Sequence, residues 1–197
     1  MIVRNVIRSA VAVVVFTAVF GFAYPAVMTG FAQLAFESKA NGSLITKDGT
    51  VLGSRLAAQA FTRPKYFHPR PSATAPAYNA GATTFANLGP TSPDLAKAVQ
   101  ERVNAILTLE RPYDPGLTVG RIPVDAVTTS GSGIDPHISP ANAAMQAPRV
   151  AAVRGIPPAT VQRLIEQATD DRALGFLGEP GVNVLELNLA LDKETGR

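Results

Sequence analysis

The 197-residue sequence contains no cysteine. This absence excludes thiolate nucleophiles, CxxC redox chemistry, thiolate zinc sites, iron–sulfur clusters and disulfides. The length corresponds to about one domain, since domains usually contain roughly 100 to 200 residues. Because the chain can form no disulfides, any part of that domain outside the cytoplasm has to be held together by packing alone.

Charge is also scarce, since only 17% of the residues are charged and 46% are hydrophobic. This composition excludes disorder as the main state of the chain. The net charge is +3, but Arg4 and Arg8 precede the first long apolar run, and the rest of the chain carries 16 basic and 15 acidic residues. Nucleic-acid binding depends on clustered Lys and Arg, so a nearly neutral body predicts no nucleic-acid partner.

Three catalytic signatures are missing from the sequence. It has no Gly-x-x-x-x-Gly-Lys-Ser/Thr phosphate-binding loop, no Asp-Lys-Thr-Gly phosphorylation segment and no Gly-x-Ser-x-Gly nucleophile elbow. We therefore expect that this chain does not itself hydrolyse ATP.

What the sequence does have is a run of 28 uncharged residues from Ser9 to Phe36. A helix of that length exceeds the roughly 30 Å of a bilayer core, although Pro25 is expected to kink it. A cleaved signal peptide is the alternative, because small residues at 21–23 resemble a cleavage site, but its apolar region is usually about 7–15 residues long. We favour a retained anchor.

The positive-inside rule orients this anchor through Arg4 and Arg8. It predicts a short cytoplasmic N-terminus at residues 1–8, a transmembrane helix at residues 9–36 and an extracytoplasmic (periplasmic) domain at residues 37–197.

The body of the chain mixes strand and helix patterns without regular βαβ alternation, which indicates an α+β domain. We predict a β-hairpin around Asp48-Gly49 and a long ordered loop from Arg63 to Pro90. The helices are expected to start near Pro93, Pro140 and Pro158, with Pro148 kinking or splitting the second one. Residues 124–129 and the alternating leucines 185–191 are predicted to be strands.

Two loops contain residues of catalytic or binding type. Residues 130–139 bring serines together with Asp135 and His137, which leaves open a membrane-anchored extracytoplasmic hydrolase, although a triad is usually assembled from distant parts of the chain. His68 is the only other histidine, and zinc needs three or four protein ligands, so no metal site is predicted. In residues 63–72 basic side chains alternate with aromatic ones. We favour packed aromatic side chains that fix a proline-rich loop over a surface that binds single-stranded nucleic acid.

Five motifs, in order and spacing, resemble the C subunit of the bacterial Kdp potassium-transporting ATPase. They are residues 66–72, 87–91, 130–140, 149–151 and 183–192. The candidate motif and interface residues within them are Tyr66, Phe67, His68, Arg70, Asn87, Gly89, Gly131, Gly133, Asp135, His137, Asn183, Glu186 and Asn188.

This resemblance implies a subunit of a high-affinity, ATP-driven potassium import complex in the plasma (inner) membrane. In that family a channel-like A subunit selects K⁺, a P-type B subunit hydrolyses ATP with Mg²⁺, and a small F subunit stabilises the complex. The C subunit is needed for assembly and activity, and it is described as a catalytic chaperone that raises the ATP affinity of the B subunit. Gln146 matches a glutamine proposed to contact nucleotide; the alternative is a polar residue on a kinked helix.

The sequence thus predicts a non-catalytic accessory subunit that binds no cofactor of its own. We further expect the loop from Gly131 to Ser139 to form a rigid surface at the outer mouth of the channel subunit. Gly131 and Gly133 permit backbone angles closed to other residues, and Pro136 stiffens the segment that follows them.

Overall fold

The computed structural model of the chain describes residues 1–196. The chain divides between Ile45 and Thr46 into two compact units. The first unit is largely one long helix, and the second contains the mixed helix and sheet body, in agreement with the α+β class predicted from the sequence.

The N-terminal helix runs from Ile2 to Ala35, and none of its described side chains is buried. Its 34 residues span about 51 Å at about 1.5 Å per residue. By length and composition it could cross a membrane. Its segments are α1 (Ile2–Phe16), a π-helical stretch (Thr17–Ala23) and α2 (Tyr24–Ala35), and α3 (Glu37–Ala40) follows.

The π-helical stretch has a local cause in Pro25. Proline has no N–H to donate to the carbonyl of Gly21, and its ring crowds that carbonyl. A wider turn just before Pro25 accommodates the ring without ending the helix.

The predicted hairpin is present as β1 (Leu44–Lys47) and β2 (Thr50–Ser54), a two-stranded sheet. Its turn places Asp48 and Gly49 at φ of 51° and 76°. The predicted loop at residues 63–90 is confirmed, since the described chain has no helix or strand between Ser54 and Pro93.

The predicted helix after Ser92 is α4 (Pro93–Glu110), and a short 3₁₀ turn (Val119–Arg121) comes next. The strand predicted at residues 124–129 is wrong: this segment contains α5 (Val124–Val127). Asp125 in its first turn accepts hydrogen bonds from the backbone N of Ser139 at 2.8 Å and from Nδ2 of Asn142 at 3.0 Å. These tertiary contacts favour a helical turn over the extended backbone that the valines suggested.

The remaining elements form the centre of the body. They are β3 (His137–Ile138), α6 (Pro140–Arg154), α7 (Pro158–Gln167), β4 (Thr169–Asp170), β5 (Gly181–Asn183) and α8 (Val184–Glu194). The three strands make an antiparallel sheet in the order β3-β5-β4, with His137 opposite Asn183 and Thr169 opposite Val182.

The strand predicted at residues 185–191 is also wrong, because α8 covers these residues. The side chains of Val184, Leu187, Asn188 and Leu191 are buried, which is the spacing of one helical face. Asn183 caps this helix by accepting a hydrogen bond from the backbone N of Glu186 at 3.1 Å. The leucines that alternate at residues 185–191 fit a strand, and the same segment also fits the spacing of a helical face.

Helix α6 is not split at Pro148, contrary to one of the two outcomes predicted for it. The lost backbone hydrogen bond is offset by contacts on both sides of the proline. Gln146 and Arg149 are both buried and both hydrogen-bond the long loop, so they fix the helix on either side of Pro148.

The hydrophobic core lies among α6, α7, α8 and the three-stranded sheet. Its fully buried members include Val150, Val161, Val182 and Leu187. Phe67 from the long loop is also fully buried there, so the loop is part of the core as well as the surface.

Candidate functional site

The long loop is attached to the core by two side-chain amides. Asn188 Oδ1 accepts from the backbone N of Phe67 at 2.9 Å, and its Nδ2 donates to the Phe67 carbonyl at 3.0 Å. Gln146 pairs with the next residue in the same way: its Oε1 accepts from the backbone N of His68 at 2.8 Å, and its Nε2 donates to the His68 carbonyl at 3.1 Å. Two helices therefore satisfy four backbone polar groups of consecutive loop residues, which keeps those groups from being buried unpaired.

The guanidinium of Arg149, which hydrogen-bonds Gln146, is fully buried. It forms an ion pair with Glu110 at 2.8 Å and donates to the carbonyls of Tyr66 and Pro64 and to Oε1 of Gln146. A buried charge is tolerated only when it is paired and hydrogen-bonded. Arg149 therefore joins α4, α6 and the loop through one centre.

Burial also shifts two ionisable groups near Arg149. Desolvation raises the pKa of Glu110, and the charge of Arg149 only partly opposes it. Desolvation lowers the pKa of His68, with Arg149 acting in the same direction. Within the described residues, Oε2 of Glu110 is buried without a hydrogen-bond partner.

The residue proposed by family resemblance to contact nucleotide, Gln146, uses all its hydrogen-bonding positions inside the fold. Its Oε1 accepts from His68 and Arg149, and its Nε2 donates to His68 and to Oδ1 of Asn142. The cleft beside it has a volume of about 60 Å³, whereas drug-sized ligands occupy pockets of roughly 300–1,000 Å³. A nucleotide contact in this arrangement would require both new space and the exchange of an existing bond.

A second contact region joins the long loop to residues 130–139. Arg70 forms an ion pair with Asp135 at 3.1 Å and donates to the carbonyl of Thr129 at 3.2 Å. Ser72 Oγ donates to the carbonyl of Gly133 at 2.6 Å. The two loops, which are distant in sequence, are thus one connected structure.

Of the two glycines in this region, only one lies at a position whose backbone conformation requires glycine. Gly133 has a φ of +74°, and a Cβ there would lie 2.7 Å from Cγ2 of Thr74 and 2.8 Å from the carbonyl O of Thr84. Gly131 has no positive φ, and a Cβ there would meet nothing within 4 Å. Gly133 therefore uses the conformational freedom that glycine permits, whereas Gly131 does not.

His137 lies between Asp135 and a second acid, Asp170. Nε2 of His137 lies 3.0 Å from Asp170, and Nδ1 lies 3.8 Å from Asp135. A hydrolytic triad requires a histidine between an acid and a serine, whereas here both ring nitrogens face carboxylates. Among residues 1–196, no group of three or more His, Asp or Glu side chains is placed to hold a metal ion.

The remaining motif residues stabilise helix ends or the loop. Asn183 donates to the carbonyl of Arg55 at 2.9 Å, and Arg55 pairs with Glu186 at 3.0 Å. The hydroxyl of Tyr66 donates to Asp192 at 2.9 Å, and its ring packs against Phe61 with centroids 5.3 Å apart. The packed aromatics expected in this loop are thus present, with Phe61 as the ring neighbour of Tyr66.

Asn87 and Gly131 come together along an open groove of about 310 Å³. Phe85 and Leu88 also line it, and both are exposed. Gly89 lies outside its lining, and a Cβ there would meet nothing within 4 Å. Residues of two of the five motifs, 87–91 and 130–140, therefore line one groove at the surface of the body.

The sequence reasoning missed the role of Arg149, Glu110 and Asn142. The signal was present in α6, where Asn142, Gln146 and Arg149 are spaced by four and three residues and so share a helical face. That face was not recognised because polar residues are seldom buried. Glu110, at the end of α4, gave no sequence indication of its pairing.

Comparison with known protein sequences assigns this chain to a family. A sequence model of the family described as "KdpC: K+-transporting ATPase, c chain" matches residues 6–193. A potassium-transporting ATPase KdpC subunit of Methylococcus capsulatus is 56% identical over 179 residues, which is 90% of this chain and 92% of that protein. The KdpC subunit of Mycobacterium tuberculosis is 51% identical over 96% of this chain and 98% of its own length.

The KdpC subunit of Sorangium cellulosum is 54% identical over 183 residues, which is 92% of this chain and 94% of that protein. The resemblance noted from the five motifs is thereby confirmed, and the similarity extends over most of both chains in each comparison. The chain belongs to the KdpC family, the accessory C subunits of the potassium-transporting ATPase.

Proposed function

We propose that this chain is a non-catalytic, single-span subunit that assembles with, and supports the activity of, an ATP-driven potassium import complex. Its partners are a channel-like A subunit, a P-type B subunit that hydrolyses ATP with Mg²⁺, a small F subunit and the lipid bilayer of the plasma (inner) membrane. The chain itself holds no cofactor.

The observation that carries this proposal is that polar residues singled out by the family resemblance are used inside the fold. Gln146, Arg149 and Asn188 are buried, and their hydrogen bonds fix the loop at residues 64–68. Groups that are buried and paired in this way cannot approach a substrate. They give the body a fixed surface, which is what a subunit contact requires.

The proposed orientation of the chain in the membrane follows from the N-terminal helix and the charged residues beside it. Arg4 and Arg8 favour a cytoplasmic N-terminus at residues 1–8, a span at residues 9–36 and an extracytoplasmic body at residues 37–197. Nucleotide is hydrolysed in the cytoplasm in this scheme. The chaperone effect on ATP affinity would then be transmitted to the B subunit through the membrane-embedded partners, without direct contact between Gln146 and ATP.

Within the complex, we propose that the loop from Gly131 to Ser139 forms part of a rigid surface at the outer mouth of the A subunit. The support is the cross-linking of this loop to the long loop by Arg70 and Ser72. Such a surface acts through its shape, because the single carboxylate of Asp135, which is already paired with Arg70, attracts cations only weakly.

The test compares complexes purified with and without this chain. We expect the complex without it to lose subunits or K⁺-stimulated ATPase activity, and the isolated full-length chain to hydrolyse no ATP. Full assembly and full K⁺-stimulated activity without the chain would contradict the proposal. Turnover of an ester or phosphoester by the isolated chain, abolished by His137→Ala, would favour the hydrolase alternative.

A further inference from the structure

A small cavity lies where α4, α5 and α6 meet the long loop. Its volume is about 60 Å³, and a bound water needs roughly 10–15 Å³, so the cavity can hold water or a small ion. Much of its wall is apolar. The polar residues that line it are His68, Glu110, Asn142 and Gln146.

One carboxylate oxygen of this wall has no hydrogen-bond donor in the described part of the chain. Glu110 is 3% exposed, and its Oε1 accepts from Nε of Arg149 at 2.8 Å, whereas its Oε2 is buried without a partner. A buried acceptor without a donor is strongly destabilising, and proteins nearly always pair such atoms with protein groups or ordered water. The cavity is the space through which a donor can reach Oε2.

The amide of Asn142 provides a second polar contact for a molecule in the cavity. Its Nδ2 donates to Asp125 and its Oδ1 accepts from Gln146. One hydrogen and one lone pair of this amide remain for a further bond. A molecule that both donates and accepts, as water does, can therefore bond Glu110 and Asn142 together, and a bound water needs at least two such partners.

The charges around the cavity favour a neutral molecule over an ion. The carboxylate of Glu110 is already paired with the guanidinium of Arg149. Desolvation lowers the pKa of His68, so its ring is uncharged at neutral pH. A cation would lose its hydration for a carboxylate that is already neutralised, and an anion would face both that carboxylate and the negative C-terminal end of α4.

We propose that this cavity is a binding site for ordered water, which donates a hydrogen bond to Oε2 of Glu110. The water stabilises the ionised form of Glu110 and with it the ion pair through which Arg149 joins α4, α6 and the long loop. The inference concerns the body of the chain alone and does not depend on the proposed function.

The first test is a crystal structure of the full chain, grown with Tl⁺ in place of K⁺, at a resolution that shows ordered water. We expect a water peak within about 3.2 Å of Oε2 of Glu110 and no anomalous thallium peak in the cavity. A thallium peak would show a cation site. That result, or an empty cavity in a map that shows other buried waters, would overturn the proposal.

The second test fills the cavity from Ala126, which lines it on α5. Filling a dry apolar cavity stabilises a protein, whereas displacing a bound water leaves Oε2 of Glu110 unpaired. We expect Ala126→Val to lower the equilibrium constant for folding of the full chain in detergent by at least about five-fold. Ala144→Val, at an exposed position of α6, is the matched control for placing a β-branched residue in a helix.

The pH dependence of stability separates loss of water from overpacking, which is also destabilising. A hydrogen bond from water favours the ionised carboxylate, so its loss should raise the pKa of Glu110 further. The contribution of Glu110, measured in each background against Glu110→Gln, should then persist to higher pH in Ala126→Val than in the wild type. An unchanged pH profile, or a gain in stability from Ala126→Val, would overturn the water site.

Discussion

The side-chain amide of Gln146 hydrogen-bonds both backbone polar atoms of His68, accepting from the N at 2.8 Å and donating to the carbonyl at 3.1 Å. This pairing makes α6 and the long loop one unit, and the amide of Asn188 repeats it at Phe67. A residue predicted by resemblance as a nucleotide contact is here part of the support of the loop.

Removing that amide should therefore reduce stability. Gln146→Ala leaves two backbone groups of His68 and one guanidinium donor of Arg149 short of a partner, so we expect the free energy of unfolding to fall by about 3 kcal/mol. Chemical denaturation of the full chain in detergent measures this loss. Gln162→Ala, on the exposed face of α7, is the control and should change stability little.

The same variant separates the two roles considered for Gln146. In complexes that still assemble, the KM for ATP should be unchanged by the substitution. A raised KM together with an unchanged free energy of unfolding would show that this glutamine contacts nucleotide and that its bonds to His68 matter little.

Gly133 should not tolerate a side chain. Gly133→Val introduces a Cβ within 3 Å of Thr74 and Thr84 and forces a branched residue to a φ of +74°. We expect a loss of at least about 3 kcal/mol in unfolding free energy and impaired assembly of the complex. Gly131→Val is the matched control for stability, because its Cβ would meet nothing within 4 Å, and equal losses of unfolding free energy from both variants would contradict this account.

Asp135 should matter modestly for both stability and transport. Asp135→Asn removes a half-exposed ion pair with Arg70, which contributes about 1 kcal/mol or less, and keeps an oxygen for the backbone N of His137. We expect normal assembly and a change in apparent K⁺ affinity of no more than about three-fold, smaller at high salt. If a fully assembled Asp135→Asn complex failed to transport K⁺, the loop would be a cation site.

The pH dependence of stability should contain a contribution from His68. Burial lowers its pKa in the folded state, so the unfolded state binds a proton more readily. The contribution is complete above the ordinary value of 6.5 and is lost as the pH falls from there towards the folded pKa. The difference in unfolding free energy between the wild type and His68→Gln, measured from pH 8 to pH 5, should show this loss.

Glu110 should act with the opposite sign, because burial raises its folded pKa above 4.5. Its contribution is complete at acidic pH and is lost as the pH rises through the raised pKa. Glu110→Gln removes that dependence and provides an internal check. A wild-type profile parallel to both variants would show that neither group is perturbed by burial.

The sequence predicted the elements whose signals are local. Proline and capping residues marked the starts of α4, α6 and α7, and Asp48-Gly49 marked the hairpin. The two wrong strands have one cause: β-branched or alternating apolar residues resemble strands in short windows. Two features identify α8 as a helix: the cap by Asn183 and a buried face that includes the polar Asn188. The burial of Asn188 can be recognised only once its partner Phe67 is in place.

The site was less predictable than the fold because its contacts join distant segments. Arg149 pairs with Glu110, 39 residues away, and bonds the carbonyl of Tyr66, 83 residues away. Nothing in the local sequence of either partner encodes such a pairing. The five motifs contain Tyr66 and Arg149 but not Glu110 or Asn142, and the mutual arrangement of these residues is visible only in the folded chain.

The orientation of the body outside the cytoplasm is the central claim of the proposed function, and the absence of cysteine allows a direct measurement. Val124→Cys introduces a single, exposed thiol in the body, and Asn5→Cys introduces one in the N-terminal segment. In intact cells treated with a membrane-impermeant maleimide, we predict labelling of this chain at position 124 and none at position 5, with both labelled after lysis. Labelling at position 5 alone, or a mature chain that has lost its N-terminal helix, would contradict the proposed topology.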